Sequence, residues 1–422
     1  MNRIVVVVGA LAVLNCFAAE RRLSMDEYRA RMRAAWEGQM IGVVWGAPVE
    51  FKFRNRMVPD DKMPVWTDDL INGVFKQDDI YVELTFVQTM EKYGVDVSIR
   101  QAGIDFANTA YHLCHANSAG RRNLRAGIAP PASSHPAFNE CANDIDYQIE
   151  ADYSGILAPG LPQAAVSLGE KFGRLMCYGD GLYGGQFVGA MYAEAFFEKC
   201  PERIVRRALR AIPAESRYAE MVRDCLELHA QNPADFAASW MALAKKYAAD
   251  RGCGQQGLGS GINATLNGAM LLLGLLYGEG DIAKTCQYAI RGGWDTDCNA
   301  SSACGVLCTA LGPAAIDRRY LAKLRQDGTF SHSPYTFAGL VAVSEKLARQ
   351  IVVRFGGRIE KDAAGAETLV LPDVAPKPSA CVSFARPGPV EGGRYTQDEV
   401  DKILYQPFCG KGFQMCRESV PK

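Results

Sequence analysis

Apolar residues recur at three- and four-residue intervals along most of the chain, a spacing that predicts helices. In the clearest case Ile80, Leu84, Val87 and Met90 share one face and Tyr93-Gly94 supplies a stop, so a buried helix is expected over 80–93. The same periodicity predicts helices over 26–40, 96–115, 186–199, 201–211, 217–229, 234–248, 262–277, 282–291, 300–311 and 335–349. Proline- and glycine-rich stretches at 127–136 and 155–162 read as long connections that carry site residues. No self-similarity at the period of helical repeats is present, which argues against a solenoid. After Arg349 the texture changes. Ile351 to Phe355 and Thr368 to Leu371 read as short strands around Gly356-Gly357, 372–395 is rich in proline and glycine, and a short helix is expected near Gln397 to Leu404. The fold class is therefore all-α, with a helical body over 19–349 and a small β or irregular appendage over 350–422.

The first eighteen residues read as a signal peptide: Arg3 is the positive end, Ile4 to Leu14 the apolar run, and Cys16-Phe17-Ala18 a small-x-small site with cleavage after Ala18. Export to the periplasm or the extracellular space is expected. Lipoprotein anchoring at Cys16 is the minor alternative, since Asn15 fits that motif poorly. The apolar run is short for a membrane span. Removing Cys16 from the 14 cysteines leaves an odd number, so at least one thiol stays unpaired within the chain. Cys225, Cys286, Cys304 and Cys308 lie in apolar helical patterns and read as small core residues, while Cys409 and Cys416 are the first pair to test for a disulfide. The net charge of -1, from 46 basic and 47 acidic side chains without a long run of either sign, argues against a nucleic-acid or anionic-membrane partner. Oligomeric state is not legible.

Two acidic clusters carry the candidate chemistry. Gln77-Asp78-Asp79 and Asp295-Thr296-Asp297-Cys298-Asn299 each stand where a loop enters an expected helix. Helix capping explains one aspartate per helix, not two. If the doublets meet, close carboxylate pairs repel by roughly 4 kcal/mol each at an effective dielectric near 20, a penalty that a bound cation removes. All-oxygen ligation points to a hard ion, Mg²⁺ with Ca²⁺ or Mn²⁺ as alternatives, and one or two ions can share such a set. Gly179-Asp180-Gly181-Leu182-Tyr183-Gly184 fits G-x-G-x-x-G by letters, but no βαβ pattern surrounds it, so a dinucleotide fold is not supported. It reads as a loop that either lets helix 186–199 pack closely or brings its amides and Tyr183 to a substrate. Gly257 to Gly261 is similar, with Asn263 beside it. His112 and His115 are expected to share one face of the 96–115 helix as a polar rim. No nucleophile elbow is present.

The run Gly38 to Phe51, with Gly42, Gly46 and Glu50, resembles the N-terminal glycine-rich helix and following acid of ADP-ribosylglycohydrolases. Gln77-Asp78-Asp79 is similar to that family's Thr-Asp-Asp, Gly293-Trp294-Asp295-Thr296-Asp297 to its Gly-Asp-Thr-Asp, and Tyr277 to Asp281 also fits, in the family's order over roughly residues 30 to 312. The resemblance implies an orthogonal multi-helix bundle with a dinuclear Mg²⁺ centre that hydrolyses an N- or O-glycosidic bond to ribose or a related sugar. It implies that Asp78 and Asp79 ligate one ion, that Asp295 and Asp297 hold and bridge to the second, and that Glu50 is the acid/base or gating carboxylate. The candidate substrate-contacting set is Glu83, Asp152, Asp180, Tyr183 and Asn299. This chain departs from the pattern at Val43, Gln77 and Cys298, and the stretch Glu150 to Gly160 lacks the family's substrate arginine, so the expected partner is a small glycoside or ribosyl compound rather than ADP-ribose specifically. The alternative is a non-catalytic carbohydrate- or nucleoside-binding protein on the same fold.

Overall fold

The computed structural model describes residues 19–250, 252–253 and 261–405; the expected leader with Cys16, the Cys409–Cys416 pair and positions 257–260 lie outside them. A strand β1 (Glu20–Ser24) leads into the long helix α1 (Met25–Gly46), and α2 (Asp78–Tyr93), α3 (Ile99–Ala107) and α4 (His115–Arg125) follow. Two short helices, α5 (Asp146–Ile149) and α6 (Asp152–Ile156), precede α7 (Pro162–Phe172), α8 (Asp180–Ala195), α9 (Pro201–Ala208), α10 (Arg217–Gln231) and α11 (Phe236–Tyr247). Then come α12 (Ala264–Tyr277), α13 (Ile282–Arg291), α14 (Thr296–Leu311), α15 (Phe337–Arg354), β2 (Arg358–Lys361), β3 (Glu367–Pro372) and α16 (Gln397–Tyr405). The fold is all-α apart from one small sheet, and no helix among the described residues is long and apolar enough to cross a membrane.

Helices α12 and α14 are buried along almost their whole length, which places them at the centre. An all-round apolar or small-residue helix has no face suited to water. Helix α1 lies directly against α14 because glycines recur every fourth residue along the seam. A Cβ on Gly42 would sit 2.2 Å from the Ala300 carbonyl oxygen, and one on Gly46 2.3 Å from that of Thr296. Thr296 Oγ1 seals the end of the seam by donating to the Gly46 carbonyl at 2.9 Å.

Four expectations are corrected. In place of one helix over 96–115 there is α3, ending at Ala107, and then an irregular connection up to the start of α4, whose Arg121 and Arg125 donate to the carbonyls of Ala107, Thr109 and Tyr111 and so satisfy it. His112 is therefore in that connection and His115 opens α4, so they do not share a helix face. Residues 351–354 are not a strand but the last turn of α15, because Leu347, Ala348, Ile351 and Val352 continue its buried face. The glycine motif at 179–184 is helical from Asp180 onward, and its close approach extends to Gly185, where a Cβ would fall 2.2 Å from the Tyr147 ring.

Strand β3 covers the expected 368–371, but its partners were not legible. It lies at the centre of the order β1-β3-β2, antiparallel to both, with Leu23 opposite Leu369 and Arg358 opposite Val370. Of β1 only Leu23 is fully buried, and a five-residue segment with one buried side chain gives almost no alternation to read. Residues after β3 lie along the helical body: Tyr183 Oη donates to the Ala380 carbonyl at 2.7 Å and accepts from Val382 N–H at 2.8 Å.

Candidate active site

The starts of α2 and α14 bring the two aspartate doublets together. Ligand oxygens of Asp79 and Asp297 lie within 4.8 Å of each other and of Cys298 Sγ, and those of Glu50, Asp295 and Asp297 within 4.8 Å of one another. Asp297 belongs to both groups, so the two sets of donors adjoin and share one carboxylate. Asp78 stands exposed at the mouth, and its charge acts on Glu50, Asp79 and Asp297. Neither doublet caps its helix through a side chain: α2 has Gln77 at its N-cap and α14 has Asp295, both without a side-chain capping bond. Capping therefore does not account for these acids.

Local backbone geometry fixes Glu50. Phe51 N–H donates to the Trp294 carbonyl at 2.7 Å, and Trp294 N–H donates to the Phe53 carbonyl at 3.1 Å, so the segment after α1 pairs with the segment before α14. Phe51 and Trp294 both have positive φ, 50° and 56°. Such conformations in bulky residues cost about 1–3 kcal/mol and persist where the surroundings enforce them. Trp294 is enforced by stacking on Trp240, with ring centroids 5.5 Å apart. Gly293 (φ 77°) is required, since a Cβ there would meet the Phe53 carbonyl oxygen at 2.5 Å.

The electrostatics are those of crowded, dry carboxylates. Asp79 is 0% exposed and both of its carboxylate oxygens lack a hydrogen-bond partner; Asp295 Oδ1 and Asn299 Oδ1 are buried and unpartnered as well. Burial, then the charges of Asp297 and Asp78, push Asp79 well above the ordinary range, and burial and Asp297 do the same to Asp295. Burial of its carboxyl, with Asp297 and Asp78 nearby, raises Glu50 to about 7 although the residue as a whole is solvent-exposed. Buried oxygens without donors are rare in folded proteins and call for a partner. An all-carboxylate donor set suits a hard dication, and the residues Asp79, Asp295, Asp297 and Glu50 fit one or two such ions; Cys298 adds a soft sulfur that does not.

The other residues singled out from sequence take different places. Asn299 belongs to the site's floor, its Nδ2 donating to Asn267 Oδ1 at 3.1 Å. Glu83 lies behind Asp79, fully buried, accepting from Gln39 Nε2 at 2.5 Å and Tyr153 N–H at 3.0 Å. Asp152 accepts from Ser302 Oγ at 3.0 Å and Tyr192 Oη at 2.9 Å, and Asp180 from Tyr218 N–H at 2.9 Å. Tyr183 is tied to residues 380–382 as described. The hydrogen bonds of these four run to other parts of the protein, so they brace helices, and none of the four joins the convergent ligand groups. Sequence reasoning missed a second buried acidic group, Asp144, Asp146 and Glu150, whose only signal there was acids recurring at even spacing just before Asp152.

A search of the curated proteins found no match. Among solved structures, a chain described as an ADP-ribosylglycohydrolase-related protein complex superposes with a TM-score of 0.50 at 16% identity, covering 78% of this chain and 100% of that one, which establishes likeness of fold. The sequence model of ADP-ribosylglycohydrolase matches residues 24–358, well over half of the 422 residues and inclusive of Glu50 and both aspartate doublets. The chain belongs to the ADP-ribosylglycohydrolase family.

Proposed function

We propose that this protein is an exported, divalent-metal-dependent hydrolase of an N- or O-glycosidic bond to ribose or a related sugar. The observation that carries the reading is Asp79: a fully buried carboxylate with two unpartnered oxygens, beside Asp297, is stable in a folded chain only when a cation or a proton takes its charge. Asp79, Asp295 and Asp297 would hold the metal, with Asp78 at its exposed side. A bound Mg²⁺ there supplies charge neutralisation and orients sugar hydroxyls and water. Glu50, held near pH 7, keeps a proton available where a glycosidic leaving group departs from an oxocarbenium-like centre. Export rests on the leader-like residues 1–18 and favours ribosyl or glycosyl compounds met outside the cell.

The test is a panel of ribosyl and glycosyl substrates assayed with Mg²⁺ and with EDTA. Turnover of a riboside that chelation abolishes and Mg²⁺ restores is expected; turnover indifferent to chelation refutes the metal role. Asp297→Ala separates an enzyme from a binding protein on the same fold. It should remove turnover far beyond any loss of affinity, whereas a change in affinity alone supports the binding reading.

A further inference from the structure

The acidic group that the metal site leaves unused lies around the start of α4. Asn117 N–H donates to Asp146 Oδ1 at 2.8 Å, and its Nδ2 donates to Glu150. Asp144, 0% exposed, accepts from Cys253 N–H at 2.9 Å through Oδ1. Its Oδ2 has no hydrogen-bond partner and faces His115 Nδ1 at 3.6 Å. His115 is the first residue of α4, half-buried, and held at φ 44°, a conformation bulky residues rarely adopt without enforcement.

This ring lies beside the active site: Tyr111, four residues earlier, packs its own ring 4.8 Å from that of Tyr81 on α2, three residues after Asp78. Cys114, which precedes His115, feels the charges of Asp78, Asp146 and Glu50, and Arg54, four residues after Glu50, acts on His115 itself. A ligand atom of Cys253 lies within 4.8 Å of those of His115 and Asp144, but that sulfur is bonded to Cys141 and offers no thiolate to a metal. What remains is an imidazole whose Nδ1 is directed at a buried carboxylate, which leaves Nε2 as the atom for proton exchange. Burial and the charge of Asp146 push the Asp144 carboxyl well above its ordinary range and burial lowers His115, while a carboxylate formed at Asp144 fixes the tautomer and stabilises the imidazolium that forms on taking a proton. Such contacts are commonly long without substrate and tighten in the complex.

We propose that His115 is the general base for the attacking water, that Asp144 is its positioning residue, and that the Cys141–Cys253 disulfide keeps Asp144 in place through the Cys253 N–H. The proposal rests on the glycoside-hydrolase reading above. In the step, His115 Nε2 takes one proton from water as the water oxygen bonds to the anomeric carbon. The bond from that carbon to the leaving atom breaks with its electron pair going to the leaving atom, which takes the proton of the Glu50 carboxyl. Proton transfer through solvent from the imidazolium to the Glu50 carboxylate restores both groups. The sum is one water consumed, one sugar hydroxyl and one protonated leaving group formed.

The experiment uses the whole chain and the riboside that it cleaves fastest in the panel, with sodium azide as a nucleophile that needs no base. His115→Ala should lower kcat by about 10²- to 10⁴-fold with little change in KM. Azide should restore at least about a tenfold gain with a glycosyl azide as product, because the function lost is deprotonation of water. Asp144→Asn and the double variant Cys141→Ser/Cys253→Ser should show smaller losses that azide also relieves, and His112→Ala, on the same connection, should match the parent. A His115→Ala variant with unchanged kcat, or one that folds but gains nothing from azide, overturns the assignment. Parent-like kcat in Asp144→Asn overturns the positioning role. Absence of turnover by the parent on every riboside instead refutes the hydrolase reading, and the two failures are thereby distinct.

Discussion

Asp79→Asn removes the charge on which the metal reading turns while keeping the side chain's shape. Ligand oxygens of Asp79 and Asp297 lie within 4.8 Å of each other, and two unit charges at that separation repel by about 3.5 kcal/mol at an effective dielectric of 20. Without metal the wild-type chain must bear that repulsion or bind a proton to avoid it. Burial and Asp297 hold the Asp79 carboxyl above its ordinary 3.8, so the folded state takes up the proton more readily than the unfolded one. The folded state is consequently penalised as pH rises above about 4, and the substitution relieves the penalty at neutral pH and not below about pH 4. An unfolding entropy of about 2.1 cal/mol/K per residue makes each kcal/mol worth about 1.2 °C in a chain of this size, so Asp79→Asn should raise Tm by up to about 4 °C in EDTA. Mg²⁺ at a hundred times its Kd should stabilise the wild type by about 2.7 kcal/mol, close to 3 °C, and the variant hardly at all. Thermal melts at pH 7.5 with EDTA and across a Mg²⁺ titration measure both. A variant that melts lower than wild type in EDTA, or one that keeps the full Mg²⁺ shift, refutes the argument.

Three further outcomes follow from particular contacts. Gly42→Ala drives a methyl to 2.2 Å from the Ala300 carbonyl oxygen, and overpacking at that backbone seam should cost about 1–3 kcal/mol and weaken Mg²⁺ stabilisation, since Glu50 follows α1 and Asp297 lies in the first turn of α14; a neutral melt would sink it. Burial raises Asp105 to about 6, where Gln101 Nε2 and Thr89 Oγ1 donate to it. Asp105→Asn should therefore stabilise the fold by about 1–3 kcal/mol at pH 7.5, with the gain fading as pH falls through 6 towards 4, and a gain independent of pH contradicts this origin. The Cys141–Cys253 bridge spans 112 positions, so its removal should cost about 2–5 kcal/mol in chemical denaturation, and no loss would show that the bridge does not form in solution.

Local pattern alone determined much of this protein. Period 3.6 in residues such as Ile80, Leu84, Val87 and Met90 specified the helical class, because which face is apolar is written residue by residue. The doubled aspartates at 78–79 and 295–297 marked the candidate site, because two like charges at one helix start exceed what capping uses. Four-residue spacing of Gly38, Gly42 and Gly46 matched the family's glycine-rich helix without showing what those glycines pack against. Only the tertiary structure decided that the partner is α14, that this contact sets Glu50 beside Asp295 and Asp297, and that Asp79 lies dry with both oxygens unpartnered. It also decided which acids are braces: Glu83 and Asp152 look as reactive as Asp79 in sequence, but their hydrogen bonds come from Gln39, Tyr153, Ser302 and Tyr192 on other elements. The His115–Asp144 pair, the Cys141–Cys253 bridge and the β1–β3 pairing join positions 29, 112 and about 350 apart, and β1 carries one buried side chain. A side chain's partners across such separations depend on how elements pack, and packing is a property of the whole chain that no local window contains.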